Sequence, residues 1–188
     1  MWQVDWSRLR FRDITAADGY AVTRWRNTAS ARDAFFNTAV VTPDTHAEFV
    51  RTRRPHDLVW IVEEKATGDA VGMLSLTVDV AKRTAEYGRA FIDERCRGRR
   101  YGFEIEWLML HFAFDVLQLD SLWLDIYADN VPMCALHRKM GWAEMAGPVG
   151  VRHDRPVLRM TYDRATWAER GEALRQQVTQ PIISEAMG

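Results

Sequence analysis

A mixed α/β domain built around one sheet is predicted by the way hydrophobic periodicity changes along the chain. Apolar residues alternate with period 2 in successive stretches between residues 58 and 92, and from about residue 100 they recur with period 3.6. Shorter strand and helix signals then follow one another, as in helices packed on a sheet rather than in a bundle or a sandwich. At 188 residues, 47% hydrophobic and 27% charged, the chain suffices for one domain with its own core.

The elements follow in order. Trp2, Val4 and Trp6 alternate and place a first strand within residues 1–12. Thr15-Ala-Ala-Asp18 has the spacing of a capping box and opens a helix through about residue 26. Thr42 is an N-cap followed by Pro43, whose missing N–H is harmless in a first helical turn, so a second helix runs to about residue 53. The apolar run 58–64 is a strand, and Ala66-Thr-Gly68-Asp69 is a turn. Leu74, Leu76, Val78 and Val80 share one face of a strand over 70–80; after Ala81-Lys-Arg83 a third strand, 84–92, completes an antiparallel meander. Phe103, Trp107, Leu110, Phe114 and Leu117 form a helical stripe that Tyr101, Ile105, Leu108 and Phe112 widen, so most of this helix is buried. A strand at 122–127, a helix at 131–140 ending on Gly141, and strands at about 142–151 and 156–162 follow. Residues 164–188 form a terminal helix and a tail.

Lysine and arginine number 25 against 26 acidic residues, a net charge of -1, which removes any global electrostatic case for a nucleic-acid or anionic-membrane partner. The longest stretch without a charge, Ala34 to Pro43, is ten residues, far short of a membrane span. Asp5, Arg8 and Arg10 precede no apolar run, so no signal peptide is predicted and a cytoplasmic location is expected. Cys96 and Cys134 make no disulfide framework, and His46, His56 and His153 have no metal-ligand spacing, so no metal is expected. His111 reads as a structural histidine of the long helix, and most of the eight tryptophans as packing.

Three segments carry candidate chemistry. Arg95-Cys-Arg97-Gly98-Arg99-Arg100-Tyr101-Gly102 joins a strand to the long helix. A glycine-containing turn at a helix N-terminus presents free N–H groups and a positive dipole end to phosphate oxygens, although a solvated basic loop has the same composition. Gly88 lies inside the strand that feeds this loop, where a glycine marks either a bulge or a packing relief. A bulge would free the backbone groups around Phe91–Asp93 for an extended ligand. The third segment runs from Asn130 through Met133, Leu136 and His137 to Gly141-Trp142, and by itself describes only a short helix bearing one histidine.

Together these segments resemble the GNAT superfamily of acyl-CoA-dependent N-acyltransferases. That family's loop reads Arg or Gln, two residues, Gly, one residue, then Gly or Ala, and the frame here is Arg97-Gly98-Arg99-Arg100-Tyr101-Gly102. The family's second motif, an asparagine leading to Leu-Tyr and Gly-Phe, is matched by Asn130, Leu136-His137 and Gly141-Trp142. Arg100 stands where the family has its first loop glycine, and His137 where it usually has tyrosine. Arg24-Trp25-Arg26-Asn27, Phe36-Asn37, Thr42 to His46 and Phe49 resemble the lid of two branches. One branch acetylates amino sugars on nucleotide carriers, the closer match; the other acetylates N-termini of ribosomal proteins.

Over about residues 8–165 the resemblance implies a GNAT-like single domain of α/β (α+β) class. Its sheet is mixed and mostly antiparallel, with six to seven strands, about four flanking helices and a central splay between two parallel strands. Residues 1–165 would form the acyltransferase domain and 166–188 a C-terminal helix and tail. Acetyl-CoA would be held by Phe91, Ile92, Asp93, Arg97, Gly98, Arg99, Arg100, Tyr101, Gly102, Asn130 and Met133. The acceptor would be a small-molecule primary amine, an amino sugar or nucleotide-linked amino sugar, contacted by Arg26, Asn27, Phe36 and Asn37. Glu86 would drain the proton of the attacking amine, and His137 would protonate the departing thiolate. Strand alternation sets Glu86, Gly88, Ala90 and Ile92 on one face, whereas a bulge at Gly88 turns Glu86 to the other. A peptide N-terminal acetyltransferase and a non-catalytic acyl-CoA sensor are the alternatives, with a monomer or homodimer as the assembly.

Overall fold

The computed structural model describes residues 4–179. Among them, nine strands form one sheet. A hairpin of β1 (Val4–Trp6) and β2 (Leu9–Asp13) lies at one edge, turned at Ser7 with φ 27°. The single N-terminal strand expected from alternation is therefore two, broken where Ser7 enters the left-handed region; Trp2 lies outside the described residues. The meander follows as β3 (Asp57–Glu64), β4 (Ala70–Asp79) and β5 (Thr84–Ile92). Beyond it stand β6 (Ser121–Tyr127) and β9 (Arg155–Asp163), with the short strands β7 (Ala143–Glu144) and β8 (Gly150–Arg152) paired to β9. The expected strand at 142–151 is thus two fragments, which raises the strand count above the six or seven expected.

Six α-helices among the described residues cover the sheet. On one face lie α1 (Gly19–Arg26), α2 (Ala29–Ala34) and α3 (Pro43–Thr52). Thr42 caps α3 as its sequence demands, its Oγ1 accepting the Thr45 N–H at 3.2 Å. Helix α2 escapes sequence reading because six residues, capped by Thr28, are too few to show a period. The residues of α1 and α2 join Val59, Ile61, Met73 and Phe91 in one apolar cluster.

The other face carries α4 (Tyr101–His111), which continues as a wider π turn over Phe112–Val116, together with α5 (Val131–Met140) and α6 (Arg164–Thr179). Helix α4 is buried nearly all round, as its broad stripe predicts. His111 stacks on Trp107 and bonds Asp115, a structural role. Helix α6 belongs to the same core: Trp167 and Leu174 are buried in it, and the Trp107 indole donates to the Gly171 carbonyl at 3.1 Å. The tail expected after this helix falls, over 180–188, outside the described residues. None of the described helices is long and apolar enough to cross a membrane.

Two irregularities position the site. The parallel ladder between β5 and β6 runs only from Thr84↔Ser121 to Glu86↔Trp123, after which the strands part. The β4–β5 register then slips between Ser75↔Gly88 and Met73↔Phe91, so Arg89 and Ala90 oppose a single residue, and Arg89 takes φ 50°. The bulge thus follows Gly88 rather than centring on it. Glu86 and Gly88 face α1–α3, while Ile92, on the far side of the bulge, faces α4.

Candidate active site

The loop from Arg95 to Gly102 has turned most of its arginine side chains to neighbouring carboxylates. Arg95 pairs with Asp93, Arg97 with Glu94 and Arg99 with Glu64. The Tyr101 hydroxyl likewise donates to Glu64. The backbone is left over: no described backbone acceptor takes the N–H of Gly98, Arg99 or Arg100, and no side chain caps α4. Gly98 (φ 81°) and Arg100 (φ 61°) both adopt left-handed geometry, so the arginine takes the conformation for which glycine is the usual residue. These N–H groups at a helix N-terminus form a cradle of the kind that can bind phosphate oxygens. Gly102 has a second reason to be glycine, since a Cβ there would lie 3.3 Å from both Ile92 Cδ1 and Leu136 Cδ2, between β5 and α5.

Asp93 is the hub behind the cradle. It accepts from Arg95, the Trp25 indole and Arg24, which together, Arg95 most, hold its carboxyl well below the usual range. Its N–H donates to the Val71 carbonyl at 2.9 Å, so Asp93 is not among the free backbone groups expected at this strand end. Alternation then turns the N–H and C=O of Ile92 away from β4 and into the gap beside β6. Phe91 packs among Trp25 and Phe35. Across the gap, Asn130 begins α5 with its side chain unbonded among the described residues, one turn before half-buried Met133. A free N–H row, an unengaged asparagine and a dipole end suit an elongated ligand with a diphosphate.

At the apex of the splay, consecutive residues of β5 point to opposite faces. Half-buried Glu86 lies on the α1–α3 side, where burial and the nearby Asp125 carboxylate push its pKa up against the pull of Arg89, Arg159 and Arg152. Tyr87 points to the other side, edge-on to the ring of His137. His137 is only 3% exposed; its Nδ1 lies 2.9 Å from Oε1 of Glu106, a fully buried carboxylate whose Oε2 has no partner among the described residues. The histidine expected to protonate the thiolate is thus buried and bonded to α4 through Glu106. Glu106 is the residue that sequence reading missed. Its signal was a carboxylate inside a helix expected to be buried, which requires a partner.

The lid residues divide by what they touch. The Asn27 amide bonds both the N–H and the C=O of Val41, at 2.9 and 2.7 Å, and Asn37 Oδ1 accepts the Ala39 N–H. These bonds shape the segment over 35–42 from which the acceptor contacts of Asn27 and Asn37 are expected. Phe36 lies edge-on to Tyr127 at the end of β6, with the Arg152 guanidinium 4.6 Å from its centre, so the lid meets the far side of the splay. Arg26 donates to the Asn37 carbonyl and stacks 3.9 Å over Phe35.

The family model for an acetyltransferase (GNAT) domain matches residues 8–143. No curated protein sequence matches the chain. Among solved structures, spermidine N-acetyltransferase from Vibrio cholerae, in complex with CoA and spermine, superposes with TM-score 0.79 at 17% identity, over 86% of this chain and 98% of that one. A GCN5-related N-acetyltransferase from Brucella melitensis gives TM-score 0.79 at 16% identity, over 94% and 85%. A protein assigned as a ribosomal-protein-serine acetyltransferase from Vibrio cholerae gives 0.69 at 20%, over 86% and 97%. At these identities the likeness establishes the fold.

Proposed function

Because this chain belongs to the GNAT acetyltransferase family, we propose that it moves an acetyl group from acetyl-CoA to the primary amine of an amino sugar or nucleotide-linked amino sugar, in a ternary complex. The observation that carries this is the apex of the splay, where Glu86 and the His137–Glu106 pair stand on opposite faces of the same strand. Acetyl-CoA supplies an activated thioester. The N–H groups of 98–102 hold its diphosphate, Ile92 and Asn130 flank its pantetheine arm, and the side chains of Phe91 and Met133 line the walls.

An amine attacks only when neutral, so its ammonium proton must leave first. Glu86 receives that proton; its raised pKa makes it a better acceptor than an exposed glutamate. On the opposite face, with His137 protonated on both ring nitrogens, Nδ1–H donates to Glu106 and Nε2–H is the proton delivered to the thiolate that leaves as the C–S bond breaks.

The lid supports a compact acceptor, since Phe36 and Arg152 cross the end of β6. The structural likeness to a protein assigned as a ribosomal-protein-serine acetyltransferase supports a second reading, acetylation of a protein N-terminus. Thiol release from acetyl-CoA, followed with amino sugars and peptides side by side, tests both. Faster turnover of amino sugars is expected. Faster turnover of peptides selects the second reading, and no amine-dependent release rejects both.

A further inference from the structure

Most arginines around the sheet are neutralised where they stand. Arg12 lies between Asp18 and Glu63, Arg53 on Asp13, Arg155 on Asp129 and Arg159 on Asp125. Arg26, Arg89 and Arg152 are different: among the described residues no carboxylate lies within 4.0 Å of any of them. Their contacts are neutral. Arg26 Nη2 donates to the Asn37 carbonyl, its guanidinium covers Phe35, and its buried Nε has no partner. Arg89 Nη1 donates to Ser75 Oγ at 3.2 Å and faces the Phe49 ring. Arg152 lies against Phe36.

These cations gather on the acceptor face. Arg26 and Arg89 are close enough to repel: burial, and then Arg89, push the Arg26 pKa down, whereas Arg12, Arg83, Arg95 and Arg159 move up beside acidic partners. The carboxylates that feel Arg89 are Glu86 and Asp57, and Asp57 is already held by Arg54. Glu86 also feels Arg152 and Arg159, but Arg159 is bound to Asp125 through both carboxylate oxygens. Holding two half-buried guanidinium groups together without a counter-ion is unfavourable, and the arrangement becomes favourable when a ligand brings the anion.

We propose that the acceptor carries an anionic group, a carboxylate or a phosphate, which Arg26 and Arg89 bind with Arg152 at the rim, while Glu86 receives the ammonium end. This rests on the proposed acetyl transfer to an amine and narrows it to an amine that bears its own negative charge. A phosphorylated or nucleotide-linked amino sugar qualifies; a polyamine, which adds positive charge to a face already in excess, does not. The phosphates of the cofactor are accounted for elsewhere, on the N–H groups at the start of α4, whereas Arg89 faces α3.

The test is an equilibrium titration of the full chain saturated with CoA, using matched probes: glucosamine 6-phosphate against glucosamine, an α-amino acid against its amide, and spermidine. The anionic member of at least one pair should bind ten times or more tighter than its neutral partner, in keeping with charge-assisted bonds to arginine, roughly tenfold or more each. Which pair shows the difference distinguishes phosphate from carboxylate. Arg26→Gln and Arg89→Gln should each remove about tenfold of that preference while CoA affinity and Tm stay near wild type. Equal binding within both pairs, tighter binding of spermidine, or an equal loss of CoA affinity in the two variants overturns the proposal. If anionic probes bind in an arginine-dependent way but no amine is acetylated, acetyl transfer fails and the anion site stands. If amines are acetylated regardless of charge, the converse holds.

Discussion

Arg95, Arg97 and Arg99 each lean on a carboxylate beside the loop or at the neighbouring β3 end, whereas Arg26, Arg89 and Arg152 on the proposed acceptor side find none among the described residues. Both regions are rich in arginine, yet their chemistry differs. In the loop, three of the four arginine side chains are paired locally, and on the proposed function recognition falls to backbone N–H groups whose direction is fixed by Gly98 and Arg100. On the acceptor face the side chains themselves are the unsatisfied groups. The comparison shows that an arginine count says little about where an anion binds; the partners each arginine already has decide it.

The comparison is most severely tested at the apex, which the two regions share. Glu86→Gln should lower kcat by ~10²–10⁴-fold, the usual range for a lost general base. Because burial and Asp125 raise the pKa of Glu86, the rate of the wild type should fall as pH drops through that raised value. The same shift has a consequence for stability. An acid whose folded pKa exceeds its unfolded one favours the fold when protonated and disfavours it once pH passes the unfolded value. Glu86→Gln should therefore leave Tm at neutral pH unchanged or higher, and a clear fall in Tm would show Glu86 to be a structural ion.

His137→Phe comes next. Removing one partner of a buried pair leaves Glu106 uncompensated and should cost about 3–5 kcal/mol in denaturant unfolding. It should also lower kcat by roughly tenfold or more, with His137→Tyr recovering part of the loss. Combining His137→Phe with Glu106→Gln separates the two effects, since stability should return and kcat should not. Recovery of both would make the pair structural only.

Within the loop, Gly102→Val should weaken CoA binding by roughly tenfold, because bulk at this position pushes Ile92 and Leu136 apart. Arg95→Ala, which removes an exposed partner of Asp93, should change CoA affinity by less than about fivefold. Comparable losses in a titration would shift recognition from backbone to side chains. The smallest effect is expected for Arg100→Gly, which supplies a residue at ease with φ 61° and should alter stability by no more than about 1 kcal/mol, with CoA affinity retained.

What the sequence disclosed and what it concealed follow from the range of the interactions. The stripe of α4, the Thr42-Pro43 start of α3 and the glycine loop are local signals, and each element stands close to where its signal places it. Ser7, Arg89 and Arg100 broke local rules by entering left-handed geometry, as residues other than glycine rarely do, so the hairpin break and the bulge position were not readable. The pairing of His137 with Glu106 joins residues 31 positions apart on different helices, and no local pattern encodes it. The same holds for Asn27, whose role in shaping the lid depends on Val41, and for the three arginines, whose lack of carboxylates appears only once the sheet is assembled.

A crystal structure of the complex with CoA tests the central claim most directly. The account predicts diphosphate oxygens on the N–H groups of residues 98–102, the pantetheine arm between Ile92 and Asn130, and the sulfur at the apex between Glu86 and His137. A diphosphate held instead by the guanidinium groups of Arg26 and Arg89, or a sulfur remote from Glu86, would contradict it.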